Sequence, residues 1–104
     1  MGVIRWSESS LRHLEEIHLW IAQDSAIQAS RIVEQIWERT QILQDNPRIG
    51  HLWTADGIGE IRLLFYGHHK VAYRFIHSSK DVEILGVFHG RMELETRMRR
   101  LKRE

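Results

Sequence analysis

A chain of 104 residues can bury one hydrophobic core but not two, so a single domain spanning residues 1–104 is expected. With 42% hydrophobic and 28% charged residues it is globular rather than disordered, and without cysteine it forms neither disulfides nor thiolate metal sites. The net charge of +1 conceals a division, because residues 1–60 hold 5 Lys/Arg against 9 Asp/Glu while residues 61–104 hold 10 against 5. The second half therefore has the charge to meet phosphates or an acidic protein.

Val3-Ile4-Arg5-Trp6 opens the chain as a short strand. Ser7 or Ser9 can N-cap a helix in which Leu11, Leu14, Ile17 and Ile21 recur at helical spacing. Asp24-Ser25 interrupts it, and Ser25 with Gln28 suits a capping box for a second helix. The apolar stripe there is Ala29, Ile32, Val33, Ile36, Thr40 and Leu43. Asn46-Pro47 ends it, because proline has no N–H to donate and disfavours a helical residue before it. So short a link predicts an antiparallel helix hairpin.

Residues 50–59 read as a loop, with Trp53 pinning it to the body. Three strands are predicted at about residues 60–66, 69–77 and 82–89. Gly67-His68 and residues 78–81 supply the turns, so consecutive antiparallel pairing follows. Alternation puts Ile61, Leu63 and Phe65 against Arg62, Leu64 and Tyr66, and Val71, Tyr73 and Phe75 against Lys70, Ala72, Arg74 and Ile76. A basic helix is expected over 92–102. The fold class is α+β: an N-terminal strand, then a helix hairpin packed on a small, mainly antiparallel sheet in the order β-α-α-β-β-β.

Several segments in this order carry a resemblance. They are Leu14, Ile17 and Trp20-Ile21; Leu43 with Asn46-Pro47-Arg48-Ile49-Gly50; Glu60-Ile61-Arg62; Lys70-Val71-Ala72-Tyr73-Arg74; and the run from Val82 to Arg91. Together they resemble the RelE/ParE superfamily of toxins from bacterial type II toxin–antitoxin modules, over nearly the whole chain. The ending His89-Gly90-Arg91-Met92-Glu93-Leu94, followed by a basic segment, is most similar to the ParE branch. That resemblance implies a toxin that inhibits DNA gyrase by binding and is neutralised by a cognate antitoxin, with operator DNA reached only through the antitoxin. It leaves open a homodimer or a toxin–antitoxin hetero-oligomer.

The competing precedent is the RelE branch, whose members are ribosome-dependent mRNA endoribonucleases. By position, Lys70, His89 and Arg91 would be its catalytic candidates here. Two departures weaken that chemistry. The second helix and the loop after it hold Arg31, Arg39 and Arg48 but no lysine cluster, and Met92 stands near where a tyrosine is familiar. A silent relative of either branch is the third reading.

Two site expectations follow. His89, Arg91 and Met92 form a target-binding lip held outward at the end of the last strand. Arg62, Leu64, Lys70, Ala72, Arg74 and Ile76 share a mixed aliphatic and cationic face that receives an antitoxin segment. Tyr73 reads as core. Trp6, Trp20, Trp37 and Trp53 read as packing rather than base stacking. No metal or other cofactor is expected, since His13 and His18 lie five apart and do not converge on one helix face. No apolar run reaches bilayer length and the amino terminus has no signal pattern, so a cytoplasmic protein with no membrane partner is expected.

Overall fold

The computed structural model describes residues 2–90. The expected basic helix over 92–102, with Arg91 and Met92, lies outside the described residues. Strand β1 (Ile4–Trp6) leads into helix α1 (Glu8–Ala22), α2 (Ala26–Gln41) and a 3-10 turn at Ile42–Gln44. Strands β2 (His51–Ala55), β3 (Gly59–Tyr66), β4 (His69–Ile76) and β5 (Val82–His89) follow.

Both helix starts are capped by serine. The Ser7 hydroxyl accepts from the N–H of Ser10, and Ser25 accepts from that of Gln28, each at 3.1 Å. Such caps contribute about 1 kcal/mol each by satisfying an otherwise orphaned donor. α1 buries Ser10, Leu14 and Ile17; α2 buries Ala29, Ile36 and Thr40, and Leu43 continues its stripe. Thr40 is wholly buried yet satisfied, its hydroxyl donating to the carbonyl of Trp37 at 2.7 Å. Leu11 departs from its expected place, being half exposed at the outer margin of the α1 stripe.

The sheet has five strands in the order β1-β5-β4-β3-β2. β1 pairs parallel to β5, and the other neighbours are antiparallel. Asp81 ties the parallel pair at its start, its carboxylate accepting from the Val3 N–H at 2.9 Å and meeting Arg5 at 3.3 Å. One sheet face supplies Leu64, Val71, Tyr73, Phe75, Val82, Ile84 and Val87, which pack with Leu14, Ile17, Ile36 and Leu43. Burying each large apolar side chain of this kind contributes roughly 1.5–3 kcal/mol relative to exposure.

The segment 50–59 is not the expected loop. β2 occupies most of it as an edge strand, paired to β3 through Leu52 with Arg62 and Ala55 with Glu60. Trp53 sits at an irregularity in that register and is 72% exposed, so it does not pin the segment to the body. Every residue of β2 is exposed, which is why no apolar alternation announced the strand. The tryptophans are mixed in role: Trp6 stacks on Trp37 with centroids 5.3 Å apart, leaving Trp37 45% exposed at the rim.

Candidate functional site

Three groups of residues on this frame bear on function: the end of β5, the outer sheet face, and an ion-pair cluster that holds the Pro47–Gly50 segment.

At the end of β5, His89 pairs across the ladder with His69, and their rings meet edge to face with centroids 4.7 Å apart. Trp20 from α1 lies against the same imidazole at 5.0 Å. His89 is only 8% exposed, which corrects the expectation that it is held outward. The physical reason is its alternation: it falls on the face that also carries Val87 and Val71, the face the helices cover. His68 and His89 do line a cleft of about 430 Å³ together with Trp20, Ile21, Asp24 and Gln28. One side of the His89 environment therefore opens to a shallow recess. Burial first, then the neighbouring imidazoles of His89 and His68, press the pKa of His69 below its ordinary value, while a hydrogen bond to the Tyr66 backbone works the other way.

The expected antitoxin face divides between the two sides of the sheet. Lys70, Ala72, Arg74 and Ile76 do leave one side of β4, but the direct partners of β4 on β3 set the rest. Arg62 lies opposite Tyr73 and Leu64 opposite Val71, so both point toward the helices. Ile61, Leu63 and Phe65 stand opposite Arg74, Ala72 and Lys70 and complete the outer face instead. Directly opposed residues of an antiparallel pair project to the same side, so pairing register rather than position within each strand decides the set. Phe65 is 51% exposed there, and the Lys70 ammonium lies 5.9 Å from the ring centroid of Phe88. Arg74 faces Glu83 across the ladder and approaches Asp56 at 4.0 Å, an exposed pair of small energetic weight.

Arg62 belongs to the third group. Its guanidinium meets the Glu60 carboxylate at 2.7 Å and donates to the carbonyls of Gly50 at 2.7 Å and Arg48 at 3.1 Å. Arg48 reaches the same carboxylate at 3.0 Å and His77 at 2.7 Å. Glu60, 7% exposed, is thereby held ionised, its pKa lowered to about 2, first by the His77 hydrogen bond and then by those of Arg62 and Arg48 against the cost of burial. The Tyr73 hydroxyl donates to the carbonyl of Pro47 at 2.7 Å and accepts from the Gly50 N–H at 3.0 Å. Burial raises its pKa, so it stays neutral and able to donate. Gly50 admits this contact because a Cβ there would lie 2.7 Å from the Tyr73 oxygen. The part played by Glu60 was not foreseen. The signal available was a carboxylate beginning a strand two residues before Arg62, downstream of Pro47-Arg48.

The nuclease candidates are not brought together among the described residues. Lys70 leaves the outer face, whereas His89 turns to the helix side. No group of three His, Asp or Glu side chains among the described residues is arranged to hold a metal ion.

Comparison with known proteins agrees with this frame. The family model described as "ParE toxin of type II toxin-antitoxin system, parDE" matches residues 4–94. A putative toxin of Sinorhizobium fredii, Y4kP, is 32% identical over 90 residues, covering 86% of this chain and 90% of its own. The fold is shared with the chromosomal ParDE system of P. aeruginosa (TM-score 0.70, 20% identity, 86% of this chain and 96% of that one). It is shared as well with the RelE–RelB complex of Pyrococcus horikoshii (TM-score 0.64, 13% identity, 86% and 94%). This chain belongs to the ParE toxin family of type II toxin–antitoxin systems.

Proposed function

We propose that the protein is a growth-arresting toxin that inhibits DNA gyrase by binding, in the cytoplasm, and is neutralised by a cognate antitoxin seated on its outer sheet face. The observation that carries the gyrase reading is the reach of the family match, which runs to residue 94 and so includes His89-Gly90-Arg91-Met92-Glu93-Leu94. In this reading Arg91 and Met92 contact the target directly. The divergence of Lys70 and His89 to opposite sides of the sheet weighs against general acid–base work by that pair, since such work needs both groups within hydrogen-bonding reach of one ribose.

The antitoxin is inferred from the solved relatives, whose descriptions name complexes such as RelE–RelB. On this chain an antitoxin segment would place carboxylates on Lys70 and Arg74, and aliphatic groups on Leu63, Ala72 and Ile76.

Controlled expression tests the target. Gyrase-linked DNA breaks should accumulate before any mRNA cleavage, and Arg91→Ala should abolish growth arrest while thermal unfolding stays unchanged. Codon-positioned mRNA cleavage as the first event, or undiminished arrest by Arg91→Ala, would overturn the proposal.

A further inference from the structure

The sheet ends in two unlike edges. β1 is three residues long, and Arg5 stands on it in an ion pair with Asp81, so shortness and charge both blunt it. β2 is longer, and between Arg48 and Asp56 the sequence holds no lysine, arginine, aspartate, glutamate or proline. Among the described residues nothing covers it, since every residue of the strand is exposed. An edge strand turns alternate backbone N–H and C=O groups outward, where they can pair with another strand.

Large apolar side chains gather along this free edge. Leu52 and Trp53 lie on the strand, Ile49 just before it and Ile58 in the turn after it, and all four are more than half exposed. Phe65, also half exposed, meets the His51 ring edge to face at 5.6 Å. The break in register between Leu52 and Thr54 leaves Trp53 out of the ladder with β3. Covering these five side chains would bury on the order of 500 Å² per copy, about 1,000 Å² for a pair, enough for a specific but weak interface.

Charge selects the partner. Arg48 precedes the uncharged run and Asp56 follows it, each with a side chain 60% exposed. A second copy laid antiparallel along β2 brings the Arg48 end of one chain to the Asp56 end of the other, twice by symmetry. A parallel arrangement would oppose like charges instead. An acidic antitoxin segment finds no lysine or arginine between residues 49 and 55, and the cations that suit it, Lys70 and Arg74, lie two strands inward on β4.

We propose that β2 is a self-association edge. Two copies pair antiparallel through His51–Ala55 about a two-fold axis, which joins two five-stranded sheets into one. Trp53, at the middle of the strand, is the apolar anchor beside the axis. The dimer rests on neither the gyrase reading nor the antitoxin reading above.

Sedimentation of the full chain alone, from about 5 μM to about 1 mM, should show a monomer passing to a dimer. Hydrogen exchange at the amides of His51–Ala55 should slow as concentration rises, while that at Val71 and Tyr73 stays constant. Trp53→Lys sets two cations near each other at the axis and should weaken the dimer by about tenfold or more. Because Trp53 is exposed, the circular dichroism of that variant should match the wild type. If the variant does not fold, the concentration dependence of wild-type exchange decides alone. A monomer over the whole range, a dimer whose β2 amides exchange as in the monomer, or a dimer untouched by Trp53→Lys overturns the proposal. Protection of β2 that appears only when antitoxin is added overturns it too, and makes the antitoxin the occupant of the edge.

Discussion

Arg62 and Tyr73 face each other across the β3–β4 pair, and both reach past the sheet to grip the same backbone segment. Tyr73 donates to the carbonyl of Pro47 and Arg62 to that of Gly50, each at 2.7 Å. The pair converts a proline-terminated loop into a fixed entry to β2. A buried hydroxyl and a largely covered guanidinium are costly unless satisfied, and here each is satisfied by backbone groups of the Pro47–Gly50 segment.

Tyr73→Phe should therefore destabilise the protein by about 1–3 kcal/mol, although the ring volume is kept. The substitution strands the Gly50 N–H and the Pro47 carbonyl inside the fold. Urea unfolding measures it, with the midpoint shifted and the slope unchanged. A loss below about 0.5 kcal/mol would mean that water replaces the hydroxyl at that site.

Glu60 gives the protein an acid-sensitive element. Its pKa is lowered to about 2 from an ordinary 4.5, so the unfolded chain binds the proton first as pH falls. The associated stability is complete above about pH 4.5 and should drain away toward about pH 2. Glu60→Gln should destabilise at neutral pH by about 1–3 kcal/mol and flatten this acid limb, because the partly buried Arg62 is left with no counter-charge. Denaturation followed between about pH 5 and about pH 2 checks both; an unaltered limb in the variant would assign the acid sensitivity to another carboxylate.

The two faces of the sheet should respond oppositely to charge reversal. Arg74→Glu lies on the outer side and should weaken antitoxin binding by at least about tenfold, roughly 1.4 kcal/mol, with little change in stability. Arg62→Glu places a second carboxylate against Glu60 and should instead impair folding. Calorimetric titration of the antitoxin against folded Arg74→Glu decides the first outcome, and an unchanged Kd would remove the outer face as the docking surface.

Much of the β-region was readable from pattern. The three strands after residue 59 fall within a residue or two of their expected limits, because bulky Val71, Tyr73 and Phe75 alternate with Lys70, Ala72, Arg74 and Ile76 between two turn signals. Both serine caps were visible for the same reason: the donor to be satisfied lies three residues away. β2 was not readable. An edge strand exposed along its whole length has no buried side to impose alternation. The combined cationic face failed at the register, although the two-residue turn Gly67-His68 contained the answer. It joins Tyr66 to His69, and partners joined that way always have opposite parity, so Arg62 cannot share a face with Arg74.

Local order thus carried the helix hairpin, the capped ends, the strand sequence and the resemblance that the family match then established. These depend on neighbours within a few residues, and short-range sterics and periodicity record them. Assembly at distance settled the rest: the burial of His89 beside His69 and Trp20, the gathering of Arg48, Arg62 and His77 on Glu60, and the side of the sheet each arginine faces. Side chains far apart in the chain meet only after strand register and helix packing have been chosen, and no local pattern encodes that choice.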